Sequence, residues 1–264
     1  MISAFLRAFL MTAVLFAAAA AVVGQTEASG RVFAGETLAY EGKLNRLRLN
    51  LTVAGLTFAA SAGSEAGQLL VKTEADSKGT LLKLFRYSFL QQYESIIDLD
   101  GFKILKTTKH DVQKERVRDS EAVFSYAAKR VNYTESDPKD RNRAPRRIAS
   151  EIPAQVYDLV SAVYAVRLEP LSVGKRFEFS ISDSGLVYKV PVVVTGREEL
   201  KTVIGKVTCF VVEPEIFGPG RLIEQKGKMR IWMANDARHT PVKAHLDTGY
   251  GKIEIKLRSV INPS

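Results

Sequence analysis

The chain reads as a mainly β protein, built of curved antiparallel sheets (a sandwich or an open barrel with meander connections) and one amphipathic helix near residues 153–166. Three observations predict this. The C-terminal stretch holds three strand-like runs at residues 228–233, 239–246 and 252–258, separated by turns. In the last run Ile253, Ile255 and Leu257 alternate with Glu254, Lys256 and Arg258. One face is therefore apolar and the other charged, as in a half-buried antiparallel strand. Similar short runs bounded by Gly, Asn, Asp and Ser recur along the chain. A helical period shows once, where Val156, Leu159, Val160 and Val163 form one stripe.

Residues 33–40 open the folded part, and Gly42 is read as its end. Residues 47–53 alternate well, with Gly55 after them, and residues 58–60 start another strand. Residues 68–75 form a strand with a polar face, closed by the turn Ser77-Lys78-Gly79. Residues 81–93 fit a helix face but also alternate through Phe85, Tyr87 and Phe89. Strand is favoured there because the neighbours are strands. Residues 96–99, 102–108 and 121–133 continue the meander, and Asp100-Gly101 is a hairpin signal.

Residues 137–145 have no period and two prolines, and read as a loop. Pro153 is placed in the first turn of the helix that follows, with Asp158 and Ser161 turned away from its apolar stripe. Residues 176–182 and 186–195 are strands joined by Asp183-Ser184-Gly185. Pro191 marks the second of them as an edge or a bulge. Glu198 and Glu199 follow Gly196 in an expected turn, residues 206–213 are a strand, and Phe217-Gly218-Pro219-Gly220 is a rigid loop.

Residues 1–28 read as a secretory signal peptide: Arg7 is the one charge before Glu27, residues 8–23 are apolar apart from Thr12, and small residues follow. The apolar run is shorter than the ~20 residues a spanning helix usually needs. Cleavage after Gly24 or Ala28 is therefore expected rather than a retained anchor. That predicts export to the periplasm of a bacterium and no transmembrane span in the mature chain. Residues 29–264 then form a single β domain, or two halves divided near 135–150. Cys209 is the single cysteine, so no intramolecular disulfide forms. It lies in the apolar run Val207-Thr208-Cys209-Phe210-Val211-Val212 and reads as a buried small hydrophobe.

The formal net charge is +9. A basic chain commonly points to nucleic acid, but export excludes that partner and leaves anionic lipids and envelope polymers. The excess is clustered: residues 129–147 carry seven basic residues against three acidic ones. Lys139, Arg141, Arg143, Arg146 and Arg147 are candidate anion contacts, weighed against a solvated connection. Trp232, the single Trp, faces away from Ile231 and Met233 and is a candidate ligand-stacking residue, weighed against packing.

Signs of catalysis are few. The histidines are His110, His239 and His245. The last two would share a face of one continuous strand, near Asp236 and Asp247, yet no zinc-type spacing occurs. No Gly-x-Ser-x-Gly elbow or phosphate-binding glycine loop is present. No metal or cofactor is expected. Asp158 and Arg167, near the two ends of the helix, read as exposed charges or as polar anchors against the sheet.

Several stretches resemble one family. These are Gly35-Glu36-Thr37-Leu38-Ala39-Tyr40, Asp158 through Arg167, Pro170-Leu171-Ser172-Val173-Gly174, Gly205-Lys206, and Ile231 through Val242 with its Trp232-Met233-Ala234-Asn235-Asp236 core. Together they look like the domain-of-unknown-function-3108 family, over nearly all of the mature chain. The resemblance implies an exported bacterial protein with a mainly antiparallel β fold, and no established activity. By fold analogy it also suggests envelope lipoprotein carriers, in which a curved sheet wraps a helix over an apolar cavity.

The expected function is a non-enzymatic binding or structural module for a lipid, an anionic polymer or an envelope protein partner. That reading predicts an apolar cavity or groove with basic residues at the rim. The alternative is an exported hydrolase acting on envelope polymers, which needs a cleft where Asp, Glu, His or Ser converge.

Overall fold

Alternating apolar and polar positions give each strand one face to bury, and antiparallel neighbours satisfy its backbone. The computed structural model describes residues 33–46, 49–79, 88–249 and 251–262. The signal-peptide reading and most of the ambiguous 81–93 segment lie outside those residues; the remainder of that segment opens a strand at Phe89.

The elements are β1 (Thr37–Arg46), β2 (Leu49–Ala62), β3 (Gln68–Ser77), β4 (Phe89–Asp98), β5 (Lys103–Gln113), β6 (Arg116–Ser125), β7 (Arg130–Ser136), β8 (Arg146–Glu151), α1 (Leu159–Arg167), β9 (Arg176–Asp183), β10 (Leu186–Thr202), β11 (Gly205–Pro214), β12 (Gly227–Ala234), β13 (Pro241–Thr248) and β14 (Gly251–Ile261). All lie in one 14-stranded sheet of order β8-β7-β6-β5-β4-β3-β2-β1-β14-β13-β12-β11-β10-β9. Sequential strands pair as a meander, and the first and last strands pair at the middle. The chain up to β8 therefore forms one wing, and β9 to β14 form the other.

The sheet curls until its two edges face each other, without closing into a ladder. The β9–β10 turn lies against the far wing, where Ser150 Oγ donates to the Gly185 carbonyl at 2.6 Å. Gly185 has φ +80°, and a Cβ there would stand 2.6 Å from the Tyr133 Cβ and 2.9 Å from the Ile148 Cβ, so this approach requires glycine. Tyr157 covers part of the free edge of β9. Its N–H donates to Ser180 O at 3.0 Å, and its carbonyl accepts from Ser182 N at 2.7 Å. An uncovered edge would invite pairing with another chain.

The helix α1 fills the concave side, and all nine of its residues are buried. Tyr164 sits at its centre, with Phe33 at 5.2 Å and Phe58 at 6.5 Å between ring centroids. This corrects two expectations. The helix begins at Leu159 rather than at Pro153, because Asp158 caps it: Asp158 accepts from Ser161 N, and the Ser161 hydroxyl accepts from Asp158 N. Asp158 and Ser161 are buried with the apolar stripe, because a helix surrounded by sheet has no solvent face.

Glycine misled the strand boundaries twice. β1 runs through Gly42 and β2 through Gly55, and the β1–β2 pairing shifts by one residue between Gly42 and Lys43. Gly42 marks a bulge in a continuous strand rather than its end. Pro191 lies in the strand beside the edge strand, paired with Glu178 on β9, one residue before the β10–β11 ladder begins at Val192. Its missing N–H therefore breaks no bond to β11. The bulge of β10 falls between Val194 and Gly196. Glu198 and Glu199 lie beyond it in strand, not in a turn.

Candidate functional site: a polar cleft beside a cationic hairpin

The two wings differ on their inner faces. The wing of β9–β14 is lined by apolar residues such as Phe179, Val192, Phe210 and Leu246. On β4–β7 the register brings polar residues together instead. Gln91 faces Asp111, Tyr93 faces Lys109, and Ser95 faces Thr107. Lys109 faces Ser120 and Asp111 faces Arg118, while Ser120 faces Glu135 and Ala122 faces Tyr133.

Asp158 anchors the deep end of this wall. Its carboxylate accepts from the Ser95 hydroxyl and, at 2.6 Å, from the Thr107 hydroxyl, while it also caps α1. Farther out, the Lys109 Nζ lies 5.0 Å from the centre of the Tyr93 ring. Asp111 accepts from Gln91 and from Gln113, and Arg116 stands 3.6 Å away. Arg118 pairs with Asp137, and Tyr133 donates to Glu135 at 2.9 Å. The β9–β10 turn brings Asp183 and Ser184 across the opening.

Burial works against the Lys109 charge, but Tyr93, Asp183 and Asp111 outweigh it and hold the ammonium above the ordinary lysine range. Burial pushes the Tyr93 phenol up to about 12 and raises that of Tyr133. At neutral pH the cleft therefore holds the Lys109 ammonium beside two protonated phenols, with Arg116 and Arg118 farther out, an arrangement suited to hydrogen bonding rather than to proton transfer. Its two partly open pockets measure about 30 and 40 Å³. That is room for a few water molecules. Among the described residues, these two spaces are too small to be the apolar cavity that the carrier analogy suggests.

At the same rim as the β5–β6 and β9–β10 turns stands the β7–β8 hairpin. Lys139, Arg141 and Arg143 lie in its loop, while Arg146 and Arg147 begin the edge strand β8. All five are exposed. The loop is held by Lys139 Nζ donating to the Glu115 carbonyl at 2.8 Å and by the Arg118–Asp137 pair. Among the described residues none of the five sits in an ion pair. Cations elsewhere on the outer sheet do, as in Lys72–Glu94 at 2.6 Å, Lys106–Glu121 at 2.5 Å and Lys256–Glu254 at 2.7 Å.

Trp232 is not part of this site. It lies on β12 in the other wing and is 2% exposed, with Nε1 donating to Glu198 at 2.8 Å. The His245 ring meets it edge-on at 4.9 Å, and Lys243 lies 4.6 Å from its centre. His245 in turn bonds Glu254 at 2.7 Å. Trp232 is packing for an outer polar cluster. His239 and His245 do not share a strand face, because His239 sits before β13 at φ 43°. There its ring Nδ1 contacts the Arg167 carbonyl at 3.1 Å. Among the described residues no three His, Cys, Asp or Glu are grouped to hold a metal.

On the outer face, an open groove of about 540 Å³ includes His110, Asp119, Glu94 and Glu121. His110 Nδ1 lies 2.5 Å from Asp119. Among the described residues no serine hydroxyl bonds the other ring nitrogen. No helix among the described residues is long and apolar enough to cross a membrane.

The polar wall escaped the sequence reading because residues 106–111, Lys-Thr-Thr-Lys-His-Asp, are polar on both faces. Such a run has no alternation to show which side is inside.

Comparison with known proteins agrees with this architecture. The chain is similar in structure to a β-barrel-like protein of domain of unknown function DUF1849 from Brucella abortus, with a TM-score of 0.58 and 13% identity over 88% of this chain and 99% of that one. It is also similar to a protein with a YmcC-like fold from Bacteroides fragilis (TM-score 0.37, 10% identity, 87% and 96% covered). A hypothetical protein from Chlamydia trachomatis gives a TM-score of 0.33 at 10% identity, with 87% of each chain covered. At these identities the first likeness shows the fold alone. No curated protein matches the sequence. The model of the DUF3108 family, a protein of unknown function, matches residues 46–258, and the chain belongs to that family.

Proposed function

We propose that the chain is an exported binding module for an anionic component of the cell envelope, recognised at the rim where the cationic hairpin adjoins the polar cleft. The observation that carries this reading is the group of five exposed cations, Lys139, Arg141, Arg143, Arg146 and Arg147, which have no ionic partners among the described residues, on a sheet whose other exposed cations are commonly paired. Unpaired cations held on one hairpin create a local positive field that attracts anions. The cleft beside them adds hydroxyl, phenol and ammonium donors for the polar groups of a bound polymer. Its small volume argues against an acyl chain as the ligand.

The shared chemistry is phosphate or carboxylate, carried either by a polymer or by a lipid headgroup. Binding of the mature chain would be measured to soluble alginate and, separately, to phosphatidylglycerol vesicles, at low and high salt. Replacing Arg141, Arg143, Arg146 and Arg147 by Gln is expected to weaken binding roughly thirtyfold, at about 0.5 kcal/mol for each exposed ion pair. Binding to alginate alone identifies a polymer, and binding to vesicles alone identifies a headgroup. Equal binding by the variant and the parent refutes the proposal.

The His110–Asp119 contact in the outer groove supports a second reading, polymer hydrolysis. Recovery of shortened alginate, abolished by His110→Ala, would establish it in place of simple binding.

A further inference from the structure

We infer that the distal half of the β10–β11 hairpin is a membrane-seating arm, whose apolar tip enters the interface of an anionic lipid bilayer. This surface lies apart from the cationic hairpin and does not rest on the reading above.

Strand pairing defines the arm. β9 pairs with β10 through Val193, and β12 pairs with β11 from Cys209 to Val212. The base of the arm is tied back to β12, since Thr208 O accepts from Asn235 N at 2.8 Å and Glu198 accepts from Trp232 Nε1 at 2.8 Å. Beyond it, among the described residues, the two strands pair only with each other, Leu200 facing Val207 and Lys201 facing Lys206. A two-stranded ribbon that projects from its sheet has little stability of its own in water, so such an extension suggests a use outside the core.

Its end has the composition of an interface anchor. Val203 is 54% exposed and Ile204 is 37% exposed at the turn, while Leu200 and Val207 behind them are half-buried and pack against the core. Two polar contacts are made within the turn. The Thr202 hydroxyl donates to the Gly205 carbonyl at 2.9 Å and accepts from Ile204 N at 3.2 Å. Moving this turn out of water therefore leaves fewer backbone groups without partners. Val173 and Ile261, also exposed, lie on the same rim.

Charge selects the occupant. Lys201 and Lys206 stand directly opposite each other behind the tip, an arrangement that is unfavourable alone. Lys206 reaches Glu199 at 2.5 Å, and among the described residues no salt bridge involves Lys201. With the tip among acyl chains, both long side chains reach the phosphate level. A second copy of the chain would instead bring like charges together across a two-fold contact. The meander places the arm and the β7–β8 hairpin at opposite rims of the sheet. A molecule seated by the arm therefore holds its cationic hairpin away from that membrane.

The test is flotation of the mature chain with vesicles of phosphatidylglycerol and phosphatidylethanolamine, in salt high enough to screen the exposed cations. The double variant Val203→Asp, Ile204→Asp is expected to lower the bound fraction at least about tenfold, while Val123→Asp, at an exposed apolar position on β6, leaves it unchanged. Fluorescence gives a second readout. Trp232 is buried on another strand, so the blue shift expected of Ile204→Trp on adding vesicles belongs to the tip. Unaltered urea midpoints show that the variants fold. Failure of the parent to float, or flotation of the Asp variant equal to it, overturns the inference. Loss of a dimer in the Asp variant, with no vesicle binding by the parent, overturns it in favour of a protein contact.

Discussion

The pair Glu36–Arg167 is the place where a single substitution should cost most. Glu36 stands just before β1, and Arg167 is the last residue of α1. The guanidinium donates to both carboxylate oxygens, at 2.5 and 2.6 Å, and both side chains are 0% exposed. Arg167 also lies 4.3 Å over the Phe33 ring, and its Nε donates to the Arg238 carbonyl at 3.0 Å. Burial opposes the Arg167 charge, but Glu36 outweighs it and raises the pKa. Removing one partner leaves the other charge buried, at a cost of about 3–5 kcal/mol. Glu36→Ala should fall within that range. Arg167→Ala should cost at least as much, since its stem and ring contact go too. With an m-value near the upper end for urea, about 3 kcal/mol per molar, either variant should lower the unfolding midpoint by about 1 M or more. The double variant Glu36→Leu, Arg167→Met removes both charges and keeps volume, so it should lie within about 2 kcal/mol of the parent. The assay is urea unfolding followed by far-UV circular dichroism. Single variants that shift the midpoint by less than about 0.3 M, or a double variant whose loss equals the sum of the singles, would refute a coupled buried pair.

Two further outcomes are expected. Acid should loosen the outer cluster around Trp232. Burial opposes the Glu254 charge, but bonds from His245 and Lys256 outweigh it and hold its carboxyl at about 2, below its usual 4.5, while burial lowers the pKa of His245. A depressed carboxylate contributes stability above its unfolded pKa and loses it as pH falls through the folded value. A histidine with a depressed pKa likewise loses its contribution as pH falls below its ordinary value. Thermal midpoints should therefore fall from about pH 6.5 downwards, steepest between about pH 5 and 2, by an amount on the order of 2 kcal/mol for Glu254. Glu254→Gln should flatten the acid limb, and an unchanged slope would contradict this. Burial also pushes the Cys209 thiol up to about 11. The native protein should resist a thiol-specific disulfide reagent at pH 8 and react fully once unfolded in urea; rapid labelling of the native chain would contradict its burial.

Legibility in the sequence followed the local physics. β3 and β14 showed themselves because each has one buried and one wet face, so period-two alternation survives in the residues. β1 and β2 were cut short at Gly42 and Gly55, since a glycine in a bulged, buried strand looks like a terminator when its partners are unknown. The basic loop was visible by composition, but its register with β6 through Arg118–Asp137 was not. Nor was the inner wall of β4–β7, where both faces are polar.

The helix was located by its stripe and misjudged in its surroundings, and the reason bears on how the fold is held. Its two terminal charges were apparent as a pair. Their partners were not, because Ser95 and Thr107 lie 63 and 51 residues from Asp158, and Glu36 lies 131 from Arg167. The signs agree with the helix dipole: a carboxylate at the N-terminus and a guanidinium at the C-terminus. Asp158 ties one end to β4 and β5, and Arg167 ties the other to the entry of β1. A strongly curled 14-stranded sheet has no closing ladder between β8 and β9 to fix its curvature. The helix, pinned at both ends by buried polar groups, is the element that can do so, and the Gly185 approach lets the edges meet around it. If that is correct, Glu36→Ala should loosen the edge contact as well as the helix. Faster amide exchange at Ser182, which bonds the Tyr157 carbonyl across the gap, would report it. Unchanged protection at Ser182 in a variant that remains folded would mean that the sheet holds its own curvature.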